Sequence, residues 1–150
     1  MNFSFSGTAD TRAPIATVWQ RLTDPLVVGA SGPGVQRVVV QDPNHFQVIT
    51  GIKLGSFKVD FTMNVELHDL VPEREFKMRA RGKATASSIQ VDSGVHLEPL
   101  PEGHTRLSWK ATTDISGFLA RIAGKRLEVL ARDLTERFWQ RFVAATEAAA

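Results

Sequence analysis

The chain has 150 residues, of which 43% are hydrophobic and 23% charged, and its 18 basic and 16 acidic side chains leave a net charge of +2. This size and balance predict a single globular domain, residues 1–150, and do not indicate a partner among nucleic acids. The absence of Cys and Tyr excludes disulfides, thiolate catalysis, cysteine-ligated metals and tyrosine acids. The sequence shows neither an apolar run of 18 residues nor a signal-peptide start, which predicts a cytoplasmic protein without a transmembrane segment.

The first third of the chain carries one strand signal followed by two helix signals. Apolar and polar residues alternate over 3–10, as in a strand with one buried face. Pro14 suits the opening of a helix over 15–22, and Asp24-Pro25 ends that helix or starts a second, shorter one at 26–28. The glycine-rich segment 29–34 lacks the spacing of a phosphate loop, so it is either the rim of a pocket or a plain connector.

Six further strands are predicted, with turn-like residues between them. Because the links are too short for parallel crossovers, neighbouring strands should be antiparallel. The predicted ranges are 35–42, 45–54, 56–70, 74–84, 88–99 and 104–115.

The third of these strands has the clearest pattern in the chain. From Phe57 to Leu67 every odd-numbered residue is apolar and every even-numbered residue is polar. Successive side chains of a strand point to opposite faces, so the odd-numbered residues should be buried and the even-numbered ones exposed.

The last part of the chain predicts one long helix over 117–146, followed by fraying over 144–150. Gly124 is unfavourable inside a helix and indicates either a bend or the junction of two helical segments. The apolar stripe of this helix consists of Leu119, Ile122, Leu127, Leu130, Leu134, Phe138 and Phe142.

The order of elements predicts an α+β fold of the helix-grip type. In that fold a curved, seven-stranded antiparallel sheet wraps around a long C-terminal helix, and two short helices follow the first strand. Such an interior is often incompletely filled, so the sequence predicts a hydrophobic pocket.

Several short motifs, in order and at consistent spacing, carry a family resemblance. They are Phe5-Ser6-Gly7, Ala13-Pro14, Val18-Trp19, Leu22-Thr23-Asp24-Pro25, Gly32-Pro33-Gly34-Val35 and residues 51–58. Together they resemble the carbon monoxide dehydrogenase CoxG family, within the START-like superfamily of lipid-transfer and polyketide-cyclase folds. The resemblance implies a hydrophobic-ligand-binding domain that serves molybdenum hydroxylases, either in their maturation or in handling a lipid or a quinone-like electron carrier.

Small side chains recur on the inner phase of three predicted strands, at Ala80, Gly82, Ala84, Ser93, Ala111 and Thr113. Because protein interiors are close-packed, they indicate either close approach of the helix or an empty volume. The methionines there are either ordinary core residues or adaptable ligand contacts. The predicted ligand-binding residues are Val28, Ile52, Phe57, Phe61, Met63, Met78, Ala80, Trp109, Phe118 and Ile122.

No catalytic residue, metal site or cofactor is predicted. The four histidines fall in turns or on polar strand faces, without the spacing of a zinc site. A cyclase or aromatase remains an alternative, and its buried polar group would come from Thr50, Ser93 or Thr113. Another alternative is a docking protein without a ligand, which would use the basic row Lys77, Arg79, Arg81 and Lys83, although Glu66 and Asp92 are expected beside Arg79.

Overall fold

A computed structural model describes residues 1–84 and 86–149, without the side chains of Leu54 and Phe57. It contains one seven-stranded antiparallel sheet in the order β1-β7-β6-β5-β4-β3-β2. The strands are β1 (Asn2–Thr11), β2 (Val35–Asp42), β3 (His45–Leu54), β4 (Phe57–Val71), β5 (Glu75–Ala84), β6 (Ser87–Pro99) and β7 (Thr105–Gly117). The helices are α1 (Ile15–Leu22), α2 (Pro25–Ser31), α3 (Phe118–Ala123) and α4 (Lys125–Ala149), with a 3-10 turn at Pro101–Gly103. This arrangement confirms the predicted helix-grip fold.

The alternation in β4 is realised over most of its length. Val59, Phe61, Val65 and Leu67 are buried and Met63 is partly buried, whereas the even-numbered residues from 58 to 66 are exposed. Asp69 then adopts a positive φ of 53° at an irregularity in the pairing with β5. The bulge shifts the phase, so that the odd-numbered end of the strand is exposed.

The predicted long helix is two helices, because Gly124 interrupts it. Gly124 has φ 53° and ψ −130°, a conformation that L side chains rarely adopt. The interruption changes the phase of the apolar stripe. Leu119 and Leu127 are buried, but Ile122 is 48% exposed and Leu130 belongs to neither core cluster.

The end of α4 is anchored as far as Ala149, so the prediction of fraying from residue 144 is wrong. Thr146 is fully buried, and its hydroxyl accepts a hydrogen bond of 3.1 Å from Arg21 Nε. The Glu147 carboxylate accepts bonds from the Thr11 hydroxyl at 3.1 Å and from the Arg12 backbone N–H at 2.9 Å. These bonds fasten α4 to the segment between β1 and α1.

The buried apolar residues form two clusters between the sheet and the helices. One lies beneath α1 and the second half of α4 and contains Leu22, Phe76, Leu107 and Phe142. The other lies beneath α3 and the start of α4, and we call it the α3 cluster; its buried members are Phe3, Val59, Phe61, Ile115, Leu119 and Leu127. Among the described helices, none combines the length and apolarity needed to span a membrane.

Candidate functional site

An inner cavity of about 370 Å³ lies between the sheet and α4. Strands β2 to β7 supply most of its wall, and α4 covers it with Leu134, Thr135, Phe138 and Trp139. The remaining contributions come from α1, α2 and the segment before β2. The complete lining is Leu22, Val28, Gly32, Pro33, Val35, Val48, Thr50, Ile52, Met63, Leu67, Phe76, Met78, Val91, Ser93, Val95, Trp109, Ala111, Leu134, Thr135, Phe138 and Trp139.

Small residues in register create part of this space. Ser93 of β6 pairs with Ala111 of β7 on one side and with Met78 of β5 on the other, and all three line the cavity. Side chains of this size at the centre of a curved sheet leave room below α4. Ser93 and Ala111 therefore mark a void.

Gly82 has a different explanation. A Cβ at this position would collide with Met63 Sδ and would lie 2.5 Å from the Thr62 carbonyl oxygen. Gly82 permits the close approach of its neighbours, so the two explanations of the small residues apply at different positions.

Stacked aromatic rings form one wall of the cavity. The rings of Trp109 and Trp139 are nearly parallel, 18° apart with centroids 4.7 Å apart, and Phe138 meets Trp139 edge-on at 5.0 Å. Trp109 pairs with Gly7 of β1, and a Cβ on Gly7 would lie 2.5 Å from the indole ring. Gly7 is thus required for the indole to lie against the strand.

The polar atoms of the cavity wall are few. The Thr50 hydroxyl donates to the Pro33 carbonyl at 3.2 Å, and the Thr135 hydroxyl donates to the Ala131 carbonyl at 2.8 Å. The Ser93 hydroxyl has no partner among the described residues. No ionisable side chain belongs to the described lining, so Ser93 is the polar group best placed to bond a ligand.

The rim of the cavity includes the glycine-rich segment before β2. Gly32 and Pro33 line the cavity, and the Gly34 carbonyl accepts a hydrogen bond of 3.0 Å from the Gly51 N–H. The Thr50 hydroxyl holds the same segment through Pro33. The segment is therefore a rim attached to β3.

The structure brings together five of the ten predicted ligand-binding residues: Val28, Ile52, Met63, Met78 and Trp109 all line the cavity. The others are placed elsewhere. Phe61 and Ala80 are buried in the core beside the lining, and Phe118 and Ile122 are 43% and 48% exposed on α3. The side chain of Phe57 lies outside the described residues.

Sequence reasoning missed the second half of the aromatic wall. Thr135, Trp139, Phe142 and Thr146 recur at intervals of four, three and four, which is the spacing of one helix face. The two threonines concealed this stripe. Including them would have identified Trp139 as an inward-facing residue.

A larger groove of about 870 Å³ lies outside the cavity, between β1 and α4. Charged side chains, including Arg132, Glu136 and Glu147, line it, and it shares Trp109 and Trp139 with the inner cavity. The stacked indoles therefore border both spaces. The apolar walls of the inner cavity make it the candidate site for a lipophilic ligand.

The ion pairs of the protein lie on its surface. The His45 imidazole contacts Asp42 at 2.9 Å and Glu66 at 3.5 Å, and the hydrogen bond to Asp42 is the largest cause of its raised pKa. The basic row on β5 is partly neutralised as expected, because Arg79 pairs with Asp92 at 2.9 Å. Among the described residues, no cluster of potential ligands suits a metal ion.

The sequence profile of the CoxG family, named for a subunit of carbon monoxide dehydrogenase, matches residues 7–146. The chain belongs to this family. None of the curated protein sequences that were compared matches the chain significantly.

Solved structures share the fold of this CoxG-family chain at low sequence identity. A conserved protein from Geobacillus kaustophilus has a TM-score of 0.88 at 17% identity, covering 99% of this chain and 97% of its own. A START superfamily protein from Mycobacterium smegmatis has a TM-score of 0.75 at 12% identity, covering 98% and 99%. The ZhuI aromatase/cyclase from Streptomyces sp. R1128 has a TM-score of 0.69 at 14% identity, covering 99% and 93%.

Proposed function

We propose that this protein binds one lipophilic small molecule, of lipid or quinone type, in the inner cavity and releases it unchanged. The supporting observation is the cavity of about 370 Å³, whose described lining residues include no ionisable side chain. Small-molecule pockets typically measure about 300–1,000 Å³, so the space suits a substituted ring or a folded acyl segment. The membership of the CoxG family links this carrier role to a molybdenum-type carbon monoxide dehydrogenase.

The cavity wall favours binding over chemical conversion. General acid–base catalysis needs a group that exchanges protons near neutral pH, usually His, Asp, Glu, Lys, Tyr or Cys. The described lining offers only the hydroxyls of Thr50, Ser93 and Thr135, and the first and last already donate to carbonyl groups of the wall. Thr113, the third residue considered for a cyclase, is buried but does not line the cavity.

Ser93 gives the proposed site a polar anchor. A hydroxyl donates one hydrogen bond and accepts others, so it can bond a carbonyl oxygen such as that of a quinone or a fatty acid. The surrounding Met78, Val91 and Val95 would hold the apolar part of the ligand, and the flexible methionine side chain would adapt to its shape.

Fluorescence titration of lipid-free protein with a short-chain benzoquinone and with a fatty acid tests the proposal. Ligand in the cavity should quench Trp109, and the Trp109→Phe variant gives the contribution of Trp19 and Trp139. Ala111→Phe should weaken binding at least tenfold by filling the cavity. Ala144→Phe is the matched control because Ala144 lines only the outer groove.

Two outcomes would contradict the proposal. If neither class of compound binds at micromolar concentration, the carrier function is wrong and the ligand-free docking function through the basic row takes its place. If Ala144→Phe weakens binding and Ala111→Phe does not, the ligand occupies the outer groove. Ser93→Ala should weaken quinone binding by about two- to tenfold, the worth of one hydrogen bond, and leave a pure hydrocarbon unaffected.

A further inference from the structure

The surface of α3 and of the first turns of α4 exposes large apolar side chains. Phe118 and Ile122 are four positions apart and so lie on one face of α3, while Leu119 on another face is buried. Val129, on the second turn of α4, is 70% exposed. Exposed apolar clusters on soluble proteins commonly mark an interaction surface.

Cations surround these apolar side chains. Arg121 lies on α3 beside Ile122, and Lys125 and Arg126 lie four and three residues before Val129, on the same side of α4. All three are exposed, and none forms an ion pair with a described residue. Glu128, the nearest acidic residue in sequence, is 3.9 Å from Arg132.

The β3–β4 hairpin adds two more cations at the same end of the molecule. Lys53 and Lys58 are exposed and directly opposite each other in the register. Their neighbours Ile52 and Val59 pack in the α3 cluster with Leu119, which fixes the hairpin beside α3. Like charges in directly opposed positions are unfavourable, so this pair would gain from a negatively charged partner.

We propose that these residues form a docking surface for an anionic lipid bilayer, with Phe118, Ile122 and Val129 entering the headgroup region. The surface consists of Lys53, Lys58, Phe118, Arg121, Ile122, Lys125, Arg126 and Val129. Apolar side chains flanked by Lys and Arg are the composition of elements that lie in the membrane interface. Juxtaposed cations are attracted to the negative potential of anionic lipids.

Other occupants fit this surface less well. A second copy of the chain would place the same cations against each other. Lysine is depleted in protein–protein interfaces, whereas Lys53, Lys58 and Lys125 all lie in this surface. A bilayer satisfies both the charge and the apolar side chains.

The docking surface lies close to the inner cavity. Ile52 and Met63 line the cavity and also pack against the α3 cluster, whose members Leu119 and Leu127 lie beneath the exposed residues. One layer of side chains therefore separates the cavity from the bilayer. Docking does not depend on the proposed ligand, so Ala111→Phe should bind vesicles as the wild type does.

Vesicle flotation tests the docking surface. The wild type should bind vesicles of equimolar phosphatidylcholine and phosphatidylglycerol, bind pure phosphatidylcholine far more weakly, and dissociate at high salt. Arg121→Glu with Lys125→Glu should lower the partition coefficient at least tenfold. Lys77→Glu with Arg81→Glu is the matched control, because it makes the same charge change on the outer face of β5 and should bind as the wild type does, apart from a smaller uniform loss.

The apolar side chains are tested separately. Phe118→Ser with Ile122→Ser should also weaken binding at least tenfold, and Leu26→Ser, which alters a 60% exposed leucine on α2, should not. In Phe118→Trp, brominated lipid should quench the new fluorophore on binding. Failure of the wild type to bind anionic vesicles overturns the proposal in favour of an acidic protein partner. Equal losses in the two charge variants, or an unquenched Trp at position 118, overturn the location.

Discussion

Two buried alanines give opposite predictions for the same substitution. Ala111 and Ala80 are 8% and 5% exposed and both face the interior from strands, but only Ala111 lines the cavity. Ala80 packs in the close core, where its strand neighbours in register are Val65 and Val91. Leucine at position 111 should enter an existing void, whereas leucine at position 80 must displace its neighbours.

The expected magnitudes follow from the added carbon atoms. Alanine to leucine adds three carbons, worth about 2.4 kcal/mol if fully buried at roughly 0.8 kcal/mol each. Fixing the leucine rotamer offsets about 0.5–1 kcal/mol of that gain. Ala111→Leu should therefore raise the free energy of unfolding by about 1–2 kcal/mol, while overpacking at Ala80→Leu should lower it by about 1–3 kcal/mol.

Urea denaturation of the ligand-free variants measures this contrast. Slopes of about 1–3 kcal/mol per molar urea turn these changes into shifts of the midpoint by roughly half a molar or more, in opposite directions. If Ala111→Leu loses as much stability as Ala80→Leu, the space beside Ala111 is closed in solution and the reasoning from the cavity is refuted. Equal slopes for all variants are required for the comparison.

Three further predictions concern other features of the fold. Gly82→Ala should destabilise by about 1–3 kcal/mol in urea, while Gly94→Ala, whose Cβ meets nothing within 4 Å, should be neutral; equal effects would contradict the packing at Gly82. Hydrogen bonds hold the pKa of Glu147 below its usual 4.5, so the stability lost in Glu147→Gln should be greatest above pH 4.5 and should disappear as pH falls through the lowered value; a difference independent of pH would refute this. Asp42 raises the pKa of His45 above 6.5, so this pair should stabilise the fold below pH 6.5 and lose its effect as pH rises through the raised value, and Asp42→Asn should lower the pKa of His45 in an NMR titration.

Local patterns predicted the sheet well, because each strand is linked to the next by a short turn that sets its partner. The opposition of Glu66, Arg79 and Asp92 across β4, β5 and β6 followed from hairpin geometry alone. At the bulge after His68 the period of two no longer holds, because the positive φ of Asp69 depends on the chain's three-dimensional course.

The helical end of the chain was harder to predict. The apolar residues continue past Gly124 at nearly helical spacing, so a single helix fitted the pattern. The one departure, the step of five residues from Ile122 to Leu127, coincides with the break. Because the break turns α3 separately from α4, it exposes Phe118 and Ile122, which a continuous helix would have placed against the ligand.

The cavity itself could be predicted only in kind. A row of small residues is compatible with a void or with close packing, and the sequence could not assign Ala111 to the first and Gly82 to the second. That distinction depends on where Met63 points and how closely α4 approaches the sheet. Ser93 became prominent for the same reason, since only its surroundings show that its hydroxyl faces the cavity without a partner among the described residues.

Native mass spectrometry of the protein purified from its own host tests the central claim most directly. If the cavity carries a lipophilic ligand, the intact protein should show an additional non-covalent mass that is released unchanged on denaturation and extracts into organic solvent. The Ala111→Phe variant should lack that mass, and Ala144→Phe should retain it. An unliganded wild-type protein that also fails to take up added quinone or fatty acid would contradict the claim.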